Sequence, residues 1–386
     1  MKPIRILVLI LCVSFVSMAW SQQPGCKADW PWAEFHRHDM MRWNPCEKVL
    51  GVNSVGNLGL NWSYAASGLN NQMLSSPAVA SGVVYIGSQD DNLFALDAKT
   101  GDKLWSYTAG LGVFSSPAVA NGVVYVGSWD NNVYALDAKT GAKLWSYATG
   151  NSVSSSPAVT NGVVYVGSGD GSVYALNAST GDKLWSYAAG TYVESSPAVA
   201  NGVVYFGAND GDLDFHVYAL NAGTGAKLWS YTTGNPLESS PAVANGVVYI
   251  GSVDGNVYAL NASTGAKLWS YTTGGSAFSS PAVANGVVYV GSYDGLYALN
   301  AKTGAKLWSY ANGFDVVSSP AVANGVVYVG SDDSKVHALN AKTGARLWRY
   351  TTGGPVESSP AVANGVVYVG SDDGKVYAFG LKKGRK

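Results

Sequence analysis

Residues 115–147 of the 386-residue chain read SSPAVANGVVYVGSWDNNVYALDAKTGAKLWSY, and the same phrases recur along most of the chain. Two serines precede a proline in eight copies, at Pro77, Pro117, Pro157, Pro197, Pro241, Pro281, Pro320 and Pro360. The tryptophan of the last phrase also recurs, at Trp62, Trp105, Trp145, Trp185, Trp229, Trp269, Trp308 and Trp348. A period near 40 residues is typical of propeller blades or of helical-pair repeats.

The residues inside each unit favour strands over helices. Residues 123–127 and 133–136 are rich in β-branched and aromatic residues, and no unit contains an amphipathic stretch of helix length. Asn121-Gly122 suits a type I′ turn between the first two strands, and Thr100-Gly101 suits the turn between the last two. Each unit is therefore predicted to be a four-stranded antiparallel meander, one blade of a β-propeller.

The two ends of the repeat region are incomplete in complementary ways. The region begins with a lone fourth-strand phrase at residues 58–65 and ends with a third-strand phrase at residues 375–379. Pairing the two would complete an eighth blade and leave no open strand edge. The sequence predicts an all-β, eight-bladed propeller over residues 58–380, preceded by a leader at 22–57 and followed by a basic tail at 381–386.

The phrase at residues 95–105, with six close copies, resembles the tryptophan-docking repeat of the pyrroloquinoline quinone (PQQ) propellers. The resemblance covers residues 58–380, and the units do not share the Gly-His and Trp-Asp signatures of WD repeats. It implies a fold shared by quinoprotein alcohol dehydrogenases, which use PQQ with Ca²⁺, and by the outer-membrane assembly lipoprotein, which does not use the cofactor. Blades of this kind identify the fold and leave the function open.

The first 21 residues have the pattern of a cleaved signal peptide. Lys2 and Arg5 precede an apolar run that ends near Ala19 and Ser21, and the residue before Cys12 is not the small one of a lipoprotein signal. The mature protein is expected to be periplasmic or secreted, without a membrane span. Cys26 and Cys46 then remain as a pair that could form a disulfide.

The leader contains His36, His38 and Asp39, a weak set of metal ligands for which structural packing is the favoured explanation. A longer loop in the fourth blade contains Asp210, Asp212 and Asp214. Carboxylates at alternate positions can surround Ca²⁺, but this loop lacks the glycine and distal glutamate of an EF-hand.

The net charge of −1 conceals a separation of charges between the two faces of the ring. Because adjacent strands are antiparallel, the turns between second and third strands and the connections between blades should share one face, here called the variable face. Most carboxylates fall on it: Asp90, Asp91, Asp130, Asp170, Asp210, Asp212, Asp214, Asp254, Asp294, Asp315, Asp332, Asp333, Asp372, Asp373, Glu194, Glu238 and Glu357. Only Lys335 and Lys375 balance them there, whereas the opposite face carries most of the lysines.

The variable face also collects most differences among the eight units. Glu194, Glu238 and Glu357 stand directly before Ser-Ser-Pro, where other units carry residues such as Phe114 and Phe278. These five residues, together with Tyr192, Trp129 and Tyr293, are the predicted ligand or partner surface. Two alternatives remain open: aspartate is a favoured turn residue, and exposed loops vary without function.

No unit combines a base, a nucleophile and an electrophile, so no catalytic residue is predicted and cofactor-binding residues are not identified. The sequence favours a non-catalytic, monomeric binding or scaffold module whose partner is a protein or a small ligand. A PQQ-dependent alcohol or sugar dehydrogenase is one alternative, although the chain has no adjacent cysteines and no Cys-x-x-Cys-His motif. An envelope protein-assembly factor is the other. Nucleic acid is excluded as a partner because an acidic face repels phosphates.

Overall fold

The computed structural model describes residues 32–35, 41–66, 72–211, 214–311, 313 and 315–382. Within these residues the chain forms eight four-stranded antiparallel blades, as predicted, and a single short 3-10 helix, Val55–Asn57. The signal sequence, Cys26, His36, His38, Asp39, Asp212 and the last four residues lie outside the described part of the chain.

The strands of each blade follow one another from the ring axis outwards, as inner, second, third and outer strand. Blade 1 comprises Ala78–Ala80, Val83–Gly87, Asn92–Asp97 and Lys103–Thr108, and blade 2 comprises Ala118–Ala120, Val123–Gly127, Asn132–Asp137 and Lys143–Ala148. Blade 3 comprises Ala158–Thr160, Val163–Gly167, Ser172–Asn177 and Lys183–Ala188, and blade 4 comprises Ala198–Ala200, Val203–Asn209, Phe215–Asn221 and Lys227–Thr233. Blade 5 comprises Ala242–Ala244, Val247–Gly251, Asn256–Asn261 and Lys267–Thr272, and blade 6 comprises Ala282–Ala284, Val287–Ser292, Gly295–Asn300 and Lys306–Tyr310. Blade 7 comprises Ala321–Ala323, Val326–Ser331, Lys335–Asn340 and Arg346–Thr351.

Blade 8 is assembled from both ends of the repeat region. Ala361–Ala363, Val366–Ser371 and Lys375–Leu381 supply its inner, second and third strands, and Leu58–Ala65 supplies the outer strand. The outer strand pairs antiparallel with the third from Leu58 opposite Leu381 to Ala65 opposite Lys375. The predicted closure of the ring is confirmed, and the third strand continues two residues beyond the predicted end at residue 379.

The turn chemistry agrees with the backbone. Asn121 and Gly122 both have positive φ, 51° and 77°, as a type I′ turn requires. Gly141 also has positive φ, and a Cβ added there would lie 2.7 Å from the Trp105 ring of the preceding blade. A glycine is needed at that position because the indole packs directly on the turn.

The tryptophan repeat fastens each blade to the next. The Nε1 of Trp105 and the hydroxyl of Tyr85 both donate hydrogen bonds to the Ala138 carbonyl of the following blade, at 3.1 and 3.0 Å. Between the blades lie buried residues of the second and third strands, such as Val124 and Leu136. The apolar core is thus a series of layers between successive blades.

The described parts of the leader contact the inner strands of blades 1, 2, 6 and 7. Its Trp32 and Ala33 carbonyls accept hydrogen bonds from the backbone N–H groups of Val79 and Val119, at 2.6 and 2.7 Å. Further along, Trp43–Asn44 adds a parallel strand to the inner strand of blade 7. Backbone hydrogen bonds thereby fix the described parts of the leader to the inner strands of the ring.

Candidate ligand-binding site at the variable face

Eight serines form a closed hydrogen-bonded circle around the axis. In every blade the backbone N–H of the serine before proline donates to the Oγ of the same serine in the next blade, at 2.8 to 3.0 Å. The circle, here called the serine ring, consists of Ser76, Ser116, Ser156, Ser196, Ser240, Ser280, Ser319 and Ser359, and it closes where Ser359 donates to Ser76. All eight are buried. The sequence signal was the eightfold Ser-Ser-Pro phrase, whose hydrogen bonding the sequence analysis did not recognise.

Arg42 of the leader lies below the serine ring and is fully buried. Its Nε donates to the Pro320 carbonyl at 2.9 Å, and its Nη2 donates to the Pro360 carbonyl at 3.1 Å. The guanidinium carbon lies 5.5 Å from the Trp32 ring centre and 4.6 Å from that of Phe35. Burial lowers the pKa of Arg42 to about 9, so the side chain stays charged at neutral pH. Sequence reasoning missed this residue because its partners lie about 280 to 320 positions away.

The three predicted glutamates each lie four residues before an inner strand. Burial raises the pKa of Glu194, and burial together with the charge of Glu194 raises the pKa of Glu238. Burial and then Asp332 raise the pKa of Glu357. The structure therefore brings Glu194 and Glu238 within electrostatic range of each other and places Glu357 in a different group.

Glu357 belongs to an acidic cluster with Asp332 and Asp372, between blades 7 and 8. Burial, Glu357, Asp332 and Asp373 raise the pKa of Asp372 to about 7. Gln72 donates to the Oδ2 of Asp372 at 3.2 Å. The buried Oδ1 of Asp372 has no hydrogen-bond partner among the described residues. Burial and neighbouring carboxylates thus raise the pKa values of all three members of this cluster.

Most other aspartates of this face serve the blades themselves. The hydroxyls of Tyr174 and Tyr258 donate to Asp170 and Asp254 at 2.6 Å. The same Asp170 accepts from the backbone N–H of Gly150, in the connection between blades 2 and 3, at 2.7 Å. This agrees with the turn explanation for one aspartate per blade and sets Asp332 and Asp372 apart as additional charges.

Two pairs of aromatic side chains also lie on this face. Phe114 and Trp129 lie with ring centres 4.2 Å apart, and Trp129 donates to the Ser154 hydroxyl at 2.8 Å. Phe278 and Tyr293 lie 4.7 Å apart. Trp129 and Tyr293 are 47% and 45% exposed, so each presents a ring face to solvent.

Tyr293 connects the aromatic residues to the acidic ones, whereas Tyr192 stands apart. Burial first, and then the charges of Asp315, Glu238, Asp332 and Glu357, raise the pKa of Tyr293. Tyr192 is placed by backbone pairing with Asn209, and its side chain is exposed. The variable face thus combines carboxylates with exposed aromatic rings, an arrangement suited to holding positive charge.

The remaining predicted site residues lie elsewhere. Asp210 and Asp214 lie close to each other and to His216 in the long loop of blade 4. Cys46 is disulfide-bonded, and its partner lies outside the described residues, so the pairing with Cys26 stays a prediction. On the opposite face, a cavity of about 520 Å³ beside Ala33 is lined by turn residues of blades 1 and 2.

The chain matches two family models. Residues 75–287, more than half of the chain, match the model described as "Beta-alanine-activating enzyme, beta-propeller". Residues 296–386 match "Outer membrane protein assembly factor BamB". No helix in the described part of the chain is long and apolar enough to cross a membrane.

Individual proteins resemble the chain in sequence only locally. A quinoprotein ethanol dehydrogenase from Pseudomonas aeruginosa is 40% identical over 67 residues, which is 17% of this chain and 11% of that protein. The matches span only 10% to 15% of the length of the curated relatives.

Solved structures resemble the chain over most of its length. A europium-containing methanol dehydrogenase superposes with a TM-score of 0.82 at 16% identity, covering 92% of this chain and 98% of that one. BamB from Moraxella catarrhalis superposes with a TM-score of 0.71 at 24% identity, covering 85% and 99%. These identities establish a shared fold alone. The longer family match, taken with the blades, shows that the chain belongs to the propeller family of the first model and is a PQQ-like β-propeller.

Proposed function

We propose that the protein is a non-catalytic binding module that holds a basic protein segment at the variable face. The observation that carries this proposal is the acidic cluster of Glu357, Asp332 and Asp372, with a pKa of about 7 for Asp372 and two buried carboxylate oxygens, one each on Asp332 and Asp372, without a partner among the described residues. A lysine or arginine that binds beside this cluster would neutralise carboxylate charges that now repel one another.

The aromatic rings support a cationic ligand. Trp129 and Tyr293 are about half exposed, the charges of nearby carboxylates act on Tyr293, and Trp and Tyr faces attract guanidinium and ammonium groups. Glu194 and Glu238, which lie within electrostatic range of each other, add further negative charge to the variable face. An extended basic segment could therefore contact carboxylates and ring faces at several points.

A protein partner is also consistent with the location of the cluster. Glu357, Asp332 and Asp372 all lie within residues 296–386, the part that matches the assembly-factor model. Assembly of envelope proteins is accordingly the second candidate function, in which the bound basic segment would belong to the assembled protein. We place the mature protein in the periplasm or outside the cell on the basis of the signal-like sequence at residues 1–21, and we propose that it acts as a monomer.

The variable face does not fit PQQ. This quinone carries three carboxylates, and the described residues of this face are mostly carboxylates that would repel it. Lys335 and Lys375, the two lysines of that face, already pair with Asp333 and Asp373 at 3.1 and 3.2 Å. The buried Arg42 is committed to backbone carbonyls.

The main test measures binding of a nona-arginine peptide to the mature chain by calorimetry, with nona-glutamate as the charge-reversed probe. We expect saturable binding of the basic peptide only. The triple variant Glu194→Gln, Glu238→Gln, Glu357→Gln should weaken it by about tenfold or more, because three facing charges are removed.

A matched control removes three charges from the opposite face: Asp97→Asn, Asp137→Asn and Asp182→Ala, each introducing the residue that a sibling blade carries. This variant should bind like the unmodified protein. Equal weakening in both triple variants, or no binding of nona-arginine, would refute the proposal. Equilibrium dialysis of residues 22–386 against PQQ, with and without Ca²⁺, tests the dehydrogenase alternative, and saturable one-to-one uptake would overturn the non-catalytic assignment.

A further inference from the structure

The loop between the second and third strands of blade 4 departs from the repeat. These strands, Val203–Asn209 and Phe215–Asn221, are each seven residues long, and pairing continues outwards to Ala208 opposite His216 and Asn209 opposite Phe215. The extra pairs carry the loop away from the body of the blade. They also place a histidine beside the acidic residues at the two ends of the loop.

Three potential ligand side chains meet there. One ligand atom each from Asp210, Asp214 and His216 lies within 4.8 Å of the other two. The Nε2 of His216 is 3.1 Å from the Oδ2 of Asp210. Donor atoms bound to one Zn²⁺ at about 2.0 to 2.2 Å lie roughly 3 to 3.5 Å apart, so only small movements separate this arrangement from a coordination shell.

The blade scaffold does not use Asp210 as it uses the aspartates of other blades. In blades 3 and 5 the turn aspartate accepts a hydrogen bond from a tyrosine of the third strand, as Asp170 does from Tyr174. In blade 4 the corresponding Tyr218 donates instead to the Ala189 carbonyl, at 3.2 Å. The carboxylate of Asp210 is thereby turned towards His216.

The adjacent strand orients the histidine ring. The Oγ1 of Thr232, opposite His216 in the outer strand, lies 3.2 Å from Nδ1. Metal-bound histidines commonly have the second ring nitrogen hydrogen-bonded in this way, because that bond fixes the tautomer and the ring orientation. Here it leaves Nε2 as the nitrogen that faces the carboxylates.

We propose that Asp210, Asp214 and His216 bind a divalent transition-metal ion of the Zn²⁺ class. Ca²⁺ takes oxygen ligands only, whereas Zn²⁺ accepts imidazole nitrogen together with carboxylate oxygen. The participation of His216 thus changes the preference expected for a loop of aspartates alone. The side chains of His216 and Asp210 are 18% and 30% exposed, so an ion could enter from solvent and keep further positions for water or a partner's ligand.

The test is a calorimetric titration of the chelator-treated full chain with Zn²⁺, with melting temperature as a second readout. We expect one saturable site and a Zn²⁺-dependent rise in melting temperature, since an ion that binds only the folded state stabilises it. His216→Gln and Asp214→Asn should each weaken binding by about tenfold or more and remove that rise while the metal-free melting temperature stays unchanged. Thr232→Val should weaken binding by about tenfold through ring orientation.

Two controls separate this site from the other histidines. His337→Tyr introduces the sibling residue in blade 7 and should leave Zn²⁺ binding unchanged. A variant with His36→Gln and His38→Gln should also bind normally. Binding that survives His216→Gln but disappears in the leader variant, or a site that binds Ca²⁺ and not Zn²⁺, would overturn the proposal. The result is independent of nona-arginine binding.

Discussion

The indole Nε1 of Trp348 donates a hydrogen bond to the backbone carbonyl of Leu58, 3.0 Å away and 290 positions earlier in the chain. In blade 6 the corresponding Trp308 donates to the Ala341 carbonyl, in the turn between the third and outer strands of the next blade. Blade 8 has no such turn, because its last two strands come from opposite ends of the repeat region. The first residue of the outer strand supplies the acceptor instead.

This seam retains the tryptophan hydrogen bond but not the tyrosine one. Tyr289 donates to the Ala341 carbonyl at 3.0 Å, whereas the hydroxyl of the equivalent Tyr328 is buried without a hydrogen-bond partner among the described residues. Tyr289→Phe should lower the free energy of unfolding by about 1 kcal/mol. Tyr328→Phe should leave it unchanged or raise it, and denaturant unfolding of the two variants measures the difference. Equal losses would contradict the seam geometry.

The serine ring should contribute to stability through each of its members. Ser240→Ala removes the Oγ that accepts the Ser196 N–H at 2.8 Å and leaves a buried donor unpaired. We expect the free energy of unfolding to fall by about 1 to 3 kcal/mol, measured by denaturant titration. The control is Ser270→Ala on the exposed outer strand of blade 5, which should change it by less than about 0.5 kcal/mol. Similar values for both variants would argue against the ring.

Arg42 should hold the leader against the propeller ring. Arg42→Met leaves the carbonyls of Pro320 and Pro360 without their donors and should cost about 3 kcal/mol or more. Hydrogen exchange should then show faster exchange across the leader residues, whereas Arg349→Ser, which introduces the sibling residue at an exposed position, should have no such effect.

If Arg42→Met does not fold, Arg42→Lys provides the alternative test. It keeps the charge but cannot reach several carbonyls at once, so leader protection should fall to an intermediate level. Unchanged protection in both variants would show that Arg42 does not anchor the leader.

The acidic cluster predicts a pH dependence of stability. Because the pKa of Asp372 is raised to about 7 in the folded protein, the folded state binds this proton more tightly than the unfolded state. The contribution is fully present below the unfolded pKa of 3.8 and is lost as the pH rises through about 7. The free energy of unfolding should therefore increase as the pH falls from about 8 to about 5.

Asp372→Asn should reduce that increase and should make the protein more stable than the unmodified chain at the alkaline end. The reduction is partial, because Glu194, Glu238, Glu357 and Asp332 have raised pKa values of the same sign. Denaturant midpoints across this pH range test the effect, with Asp182→Ala on the opposite face as the control. An unchanged pH profile in Asp372→Asn would contradict the prediction.

The predicted site was only partly recoverable from sequence. The position before Ser-Ser-Pro identified Glu194, Glu238 and Glu357 because it varies among units that are otherwise nearly identical. The sequence analysis did not distinguish Asp372 from Asp170, since both are turn aspartates. Only the structure shows that Asp170 accepts from a tyrosine while Asp372 has a buried oxygen without a partner among the described residues.

The sequence by itself determined the number of blades, their strand order, their turns and the closure of the ring, because these follow from local patterns repeated about every 40 residues. Tertiary structure alone decided how Arg42 meets Pro320 and Pro360, how Ser359 meets Ser76, and how His216 joins Asp210. The first two contacts join residues hundreds of positions apart, and the third depends on how far strand pairing extends in one blade. Such distances depend on the curvature of the closed ring and on the register of its strands, so no local pattern in the chain encodes them.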